Sequence, residues 1–124
     1  MQATNIFLKE KLKEIKMASN DHHVDMFELI GSVRDIFSSA YLTKPIADPE
    51  IIQEMWGVLS TIFIHNENYD NKFDSIMAMS YVYLYAKNQN ISLCLDELRK
   101  WRKKAQASSI SSEVLECVDD ILIG

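Results

Sequence analysis

The stretch Met77-Ala78-Met79-Ser80-Tyr81-Val82-Tyr83-Leu84-Tyr85 decides the fold of this 124-residue chain. Residues 81–86 alone would pass for a fully buried strand, but no turn separates them from Phe73, and the residues between keep a helical period. Phe73, Ile76, Met77, Ser80, Tyr83 and Leu84 make one face, while Met79, Val82 and Tyr85 crowd the others. A helix that is apolar on nearly every side is a buried one. The stretch therefore predicts a central helix over about residues 71–87.

Upstream, Asp48-Pro49-Glu50 supplies an N-cap, a first-turn proline and a carboxylate at the positive end of a helix dipole. Ile51, Ile52, Met55, Trp56, Leu59, Ile62 and Phe63 then hold the period until the polar run at residues 66–70. Gly57, inside this helix, would let a neighbouring backbone come close. Pro45 turns Lys44 away from helix. Nearer the start, a first helix beginning after Thr4 or Asn5 has Phe7, Leu8, Leu12 and Ile15 on one face. Asp25 caps a second, with Glu28 closing the box, Val24 stapled onto Leu29, and Met26, Phe27, Ile30, Val33, Ile36 and Phe37 inside.

Downstream, Ser92 caps a fifth helix whose inner stripe is Leu95, Leu98, Trp101 and Ala105, ended by Ser108-Ser109-Ile110. Ser111 caps the last one, with Ile110 stapled onto Leu115 and with Val114, Leu115, Val118, Ile121 and Leu122 turned inward. Three glycines and two prolines leave too little turn chemistry for the hairpins of an all-β fold. The expectation is a single all-α domain over residues 1–124. It is a compact bundle of five to six short amphipathic helices around the central apolar one.

Chemistry-bearing motifs are sparse. Isolated glycines cannot build the phosphate-cradling loops of nucleotide enzymes. Asp21-His22-His23-Val24-Asp25 gathers imidazoles and carboxylates, yet adjacent histidines are not the i, i+4 pair that offers two ligands from one helical face. His65-Asn66-Glu67 looks like part of a zinc deaminase motif, but the P-C-x-x-C partner is missing. Cys94 and Cys117 read as small hydrophobes on two helices, and Cys94, near a helix start, is set among leucines that argue for burial. The expectation is no enzyme, no metal and no cofactor. Reduced thiols, the absence of a signal peptide and the absence of a 20-residue apolar span point to a cytoplasmic protein without a membrane segment.

What remains is surface. Residues 21–50 and 51–75 carry net charges of −4 and −3, within a chain of −5, and would suit another protein with a basic surface. The residues singled out for such a partner are Asp48, Glu50, Glu54, Glu67, Asp70 and Asp74, together with Tyr81 and Tyr85, whose aromatic rings also suit a homodimer. The functional expectation is a non-catalytic protein-binding module acting by surface occupation: a small inhibitor, immunity protein, antagonist or secretion chaperone. The alternative is a nucleic-acid-associated regulator using Arg99, Lys100, Arg102, Lys103 and Lys104 around Trp101. Against it, those cations spread over the outer face of a helix, complement its dipole, and are followed by Glu113, Glu116, Asp119 and Asp120.

Overall fold

A computed structural model of the chain describes residues 2–18, 25–38, 45–105 and 111–123. Among these residues all regular structure is helical, in the order α1 (Gln2–Ala18), α2 (Phe27–Phe37), α3 (Pro49–His65), α4 (Tyr69–Asn88), α5 (Asp96–Lys104) and α6 (Ser112–Ile123). The helices pack against one another as a bundle. α4 touches α2, α3 and α6; α3 touches α1, α4 and α5; α1 also meets α2, and α5 meets α6.

The centre of the bundle is the α3–α4 hairpin. The seven apolar residues that sequence periodicity assigns to the inside of α3, from Ile51 to Phe63, are all buried. Each aliphatic side chain so enclosed contributes about 1.5–3 kcal/mol relative to exposure. Pro49 occupies the first turn as expected, but the Asp48 side chain makes no cap bond to α3. The Asp48 N–H instead donates to Asn5 Oδ1 at 2.9 Å, tying the start of α3 to α1. α1 begins at Gln2, ahead of the expected Thr4 or Asn5. At its far end α3 is closed from α4: Lys72 Nζ donates to the carbonyls of Phe63 and Ile64, at 2.8 and 3.2 Å. Those are terminal carbonyls that the helix itself cannot satisfy.

Three asparagines make the corner where α2, α3 and α4 meet. The Asn68 N–H donates to Asn66 Oδ1, and Asn68 Oδ1 caps α4 by accepting from the Asn71 N–H. Asn71, fully buried, accepts from the Met26 N–H at 3.0 Å. α4 thus starts at Tyr69, two residues before the expected position. Asp25 accepts from the Phe27 N–H, but Met26 holds the N-cap position of α2, one residue later than expected. Phe27, assigned to the core by periodicity, is 54% exposed.

The fifth helix differs most. Ser92 does not start it: α5 begins at Asp96, and residues 91–95 are non-helical. That segment is stapled to α3 by side chains, Gln53 Nε2 donating to the Ser92 carbonyl and Trp56 Nε1 to the Cys94 carbonyl. Cys94 is therefore exposed and outside any helix, contrary to the expected buried helical position. Gly57 admits no close backbone; it is exposed, with no atom within 4 Å of where a Cβ would stand. Ser111 does cap α6, accepting from the Val114 N–H. The staples from Val24 and Ile110, and the histidines His22 and His23, lie outside the described residues.

Candidate partner-binding face

Helical geometry places 100° between successive residues, so stripes stepping by four and three residues divide α4 into faces. Asn71, Ser75, Ala78, Val82 and Tyr85 are buried along one stripe. It is the side toward α2, marked by the Asn71–Met26 hydrogen bond and by the edge-on contact of the Tyr85 and Phe37 rings, 5.3 Å apart. Lys72, Ile76, Met79, Tyr83 and Ala86 form a second stripe against α3, where Tyr83 tilts against Trp56. A third runs along α6, with Tyr69 Oη bonded to Ser111 Oγ and Met77 Sδ 3.7 Å from Cys117 Sγ. Because the starts of α4 and α6 meet and their middles meet, the two helices run parallel.

Among the described residues one sector of α4 meets no other helix, stepping through Asp70, Asp74, Tyr81 and Leu84, with Met77 at its border with α6. Asp70 is exposed, Leu84 is 50% exposed, and Asp74, Met77 and Tyr81 are half-buried. The expectation that α4 is enclosed on nearly all sides therefore holds toward α2 and α3, weakens along α6, where Phe73 and Ser80 are half-buried and Tyr69 is exposed, and fails for this sector. Phe73, Met77, Ser80 and Leu84, read as inner positions, lie toward α6 and the open sector instead. Beside the sector is a groove of about 550 Å³, and a second groove of about 590 Å³ lies elsewhere, lined by no residue of α4. The smaller one is formed by Met77, Ser80, Tyr81, Tyr83, Leu84 and Lys87 of α4 with Cys117, Asp120 and Ile121 of α6. On the helical wheel Leu84 lies between Tyr81 on one flank and Tyr83 and Lys87 on the other.

The larger groove lies between α3 and the stapled segment, and holds Ser60, His65, Cys94 and Glu97. Its Gln53 and Trp56 are already engaged in the staples. Among the described residues no three His, Cys, Asp or Glu side chains converge as a metal site. In the α4–α6 groove, burial pushes the Cys117 thiol up, a Ser80 hydrogen bond opposes this, and Asp120, Glu116 and Glu113 push it further up. A thiol so held stays protonated and is a poor nucleophile.

The residues proposed from sequence scatter over three places. Asp48, Glu50 and Glu54 sit at the start of α3, with Glu54 paired to Lys16 of α1. Glu67 lies at the opposite end of that helix. Asp70, Asp74 and Tyr81 do share the open face. Tyr85 does not: it is fully buried, and its Oη accepts from the Ile46 N–H at 2.9 Å, so it is a core residue and not a partner contact. Met77, Leu84, Cys117 and Asp120 are not among the partner residues that the sequence suggests, because apolar residues on every side of α4 hide which stripe is open.

Comparison with protein-family models, curated proteins and solved structures finds no match to this chain. Of the basic run, Arg99 and Lys100 pair with Asp96 and Glu97 one turn back, and Arg102 forms a two-pronged pair with Asp119 of α6 at 2.8 and 3.3 Å. The hydrogen bond from Arg102 holds the Asp119 carboxyl below the usual carboxylate range. Lys103 and Lys104 are exposed in the last turn, where cations complement the helix dipole.

Asp74 carries a pH signature. Burial pushes its carboxyl above the ordinary range; Arg34 pulls it down, and Asp70 and Asp25 push it up. A carboxyl raised in the folded state binds protons more readily there than in the unfolded chain. Its ionisation therefore costs stability at neutral pH, and the cost disappears as pH falls through the folded value. Asp74→Asn is expected to be more stable than the natural chain at pH 7. The difference should shrink as urea titrations are repeated down to pH 4.

Proposed function

We propose that this chain is a non-catalytic protein-binding module that acts by occupying a partner's surface, as a small inhibitor, immunity protein, antagonist or secretion chaperone does. The observation that carries the reading is Leu84, half-exposed on the helix that three others enclose, with Tyr81 and Met77 in the same stripe and a groove beside them. Single exposed apolar residues are ordinary; a Met, a Tyr and a Leu aligned along a groove are the composition of contact surfaces. Among the described residues no helix is long and apolar enough to cross a membrane, and the reading places the protein in the cytoplasm. Three of the five cations of the basic run are paired within the fold, which favours a solvated surface there over a nucleic-acid interface.

Affinity capture tests the reading when the natural chain and a Tyr81→Ala, Leu84→Asp double variant are used as parallel baits. Both substitutions fall on partly exposed positions and should cost about 1 kcal/mol or less each. The expected result is a partner recovered in fixed ratio with the natural chain and lost with the variant, the two baits giving the same circular dichroism. Equal recovery of the partner by both baits would remove this face from the account.

A further inference from the structure

The open face has a shape and a charge pattern that select the kind of partner. We infer that its occupant is a basic amphipathic helix of the partner protein, lying along α4 with apolar side chains against Met77, Tyr81 and Leu84 and cations toward the surrounding carboxylates. The inference rests on the protein-binding reading above and adds the chemistry of what is bound.

Met77 to Leu84 is two helical turns, about 10 Å of rise. That is the spacing over which an amphipathic helix presents anchors at i, i+3 or i+4, and i+7 to a groove. Met and Tyr suit the task, the first because its unbranched thioether adapts to irregular neighbours, the second because it offers a large rigid face with a polar tip. Charge then narrows the choice. Asp70 and Asp74 continue the same stripe toward the start of α4, where Arg34 and Asp25 are both close enough to act on Asp74. On the other wall, Glu113, Glu116 and Asp120 of α6 are close enough to act on Cys117, which lines the groove beside Met77. Lys87 stands at the far end. Carboxylates thus stand at the start of the apolar stripe and along its α6 side, and the cations beside them are Arg34 and Lys87.

That pattern suits a second copy of the chain poorly, because a two-fold pairing of this face would bring only Lys87 and Arg34 to meet Asp70, Asp74, Glu113, Glu116 and Asp120. It equally repels phosphate backbones. A helix with cations flanking an apolar stripe meets it on both counts.

The test uses the full chain and two synthetic helices of about 18 residues, one of leucine and lysine and one of leucine and glutamate in the same amphipathic pattern. The leucine–lysine helix is expected to bind in fluorescence anisotropy, with NMR shift changes centred on residues 77–84, and the leucine–glutamate helix is expected not to bind. Tyr81→Ala with Leu84→Asp should weaken binding at least about tenfold, as loss of interface anchors does. Asp70→Asn with Asp74→Asn should weaken it several-fold and flatten its salt dependence. Binding of the acidic helix as tightly as the basic one, indifference to these variants, or no binding by a folded chain would overturn the inference. So would a dimer in light scattering that Leu84→Asp dissolves. A captured partner that is lost with the double variant yet not displaced by the leucine–lysine helix would leave the protein-binding reading standing and this inference refuted. A captured partner indifferent to the variant would refute the reading itself.

Discussion

Tyr85→Ala is expected to destabilise the fold by about 4 kcal/mol, the range for deleting a large buried aromatic ring. Three losses combine. The side chain is fully enclosed, so its removal opens a cavity between α2 and α4. The edge-on contact with Phe37 goes with it. The Ile46 N–H, which donates to Tyr85 Oη just ahead of α3, is left without that acceptor. Tyr85→Phe isolates the last of these and should cost only about 1–2 kcal/mol. Tyr81→Ala, four residues earlier and on the open face, should cost about 1 kcal/mol or less while weakening partner binding. Chemical denaturation of the three variants measures the ordering. A Tyr81→Ala penalty as large as that of Tyr85→Ala would mean that Tyr81 is core and that the open face is misassigned.

Asn71→Ala is the second large effect, expected at about 2–3 kcal/mol. Its Oδ1 is the acceptor for the Met26 N–H, a buried donor at the entry to α2. Truncation leaves that donor buried and unmatched, which costs more than the hydrogen bond itself contributes. The loss should be local as well as global. Hydrogen exchange at the start of α2 is expected to accelerate in Asn71→Ala beyond what the fall in overall stability accounts for. Uniform acceleration along the chain would show that the three-asparagine corner does not specifically hold α2.

These two residues mark the boundary of what the sequence discloses. In α3 polar and apolar residues alternate with a clear helical period, so its buried set and its start at Pro49 follow directly from pattern and proline chemistry. α4 has apolar residues on all sides, so periodicity shows that it is central but not which face is open. Burial of Asn71 and Ser75 runs against hydropathy, and is settled by the corner hydrogen bond for the first. Ser92 has the residue type of a cap, yet its carbonyl accepts from Gln53, thirty-nine residues away in sequence, and the helix waits for Asp96. Tertiary hydrogen bonds of that kind leave no local signature. The same holds for the candidate site: charge and ring chemistry point to Asp70, Asp74 and Tyr81, whereas Leu84 and Met77 become visible only once three neighbours of α4 are placed.

Partner contact on the outer face of α4, as proposed above, can be trapped covalently. Photo-crosslinking in the native host addresses it most directly, with a benzophenone amino acid placed at position 84 in one variant and at Lys13, exposed on α1, in another. One discrete cross-linked species is expected from position 84 and none from position 13. A discrete species from position 13 with none from position 84 would contradict it.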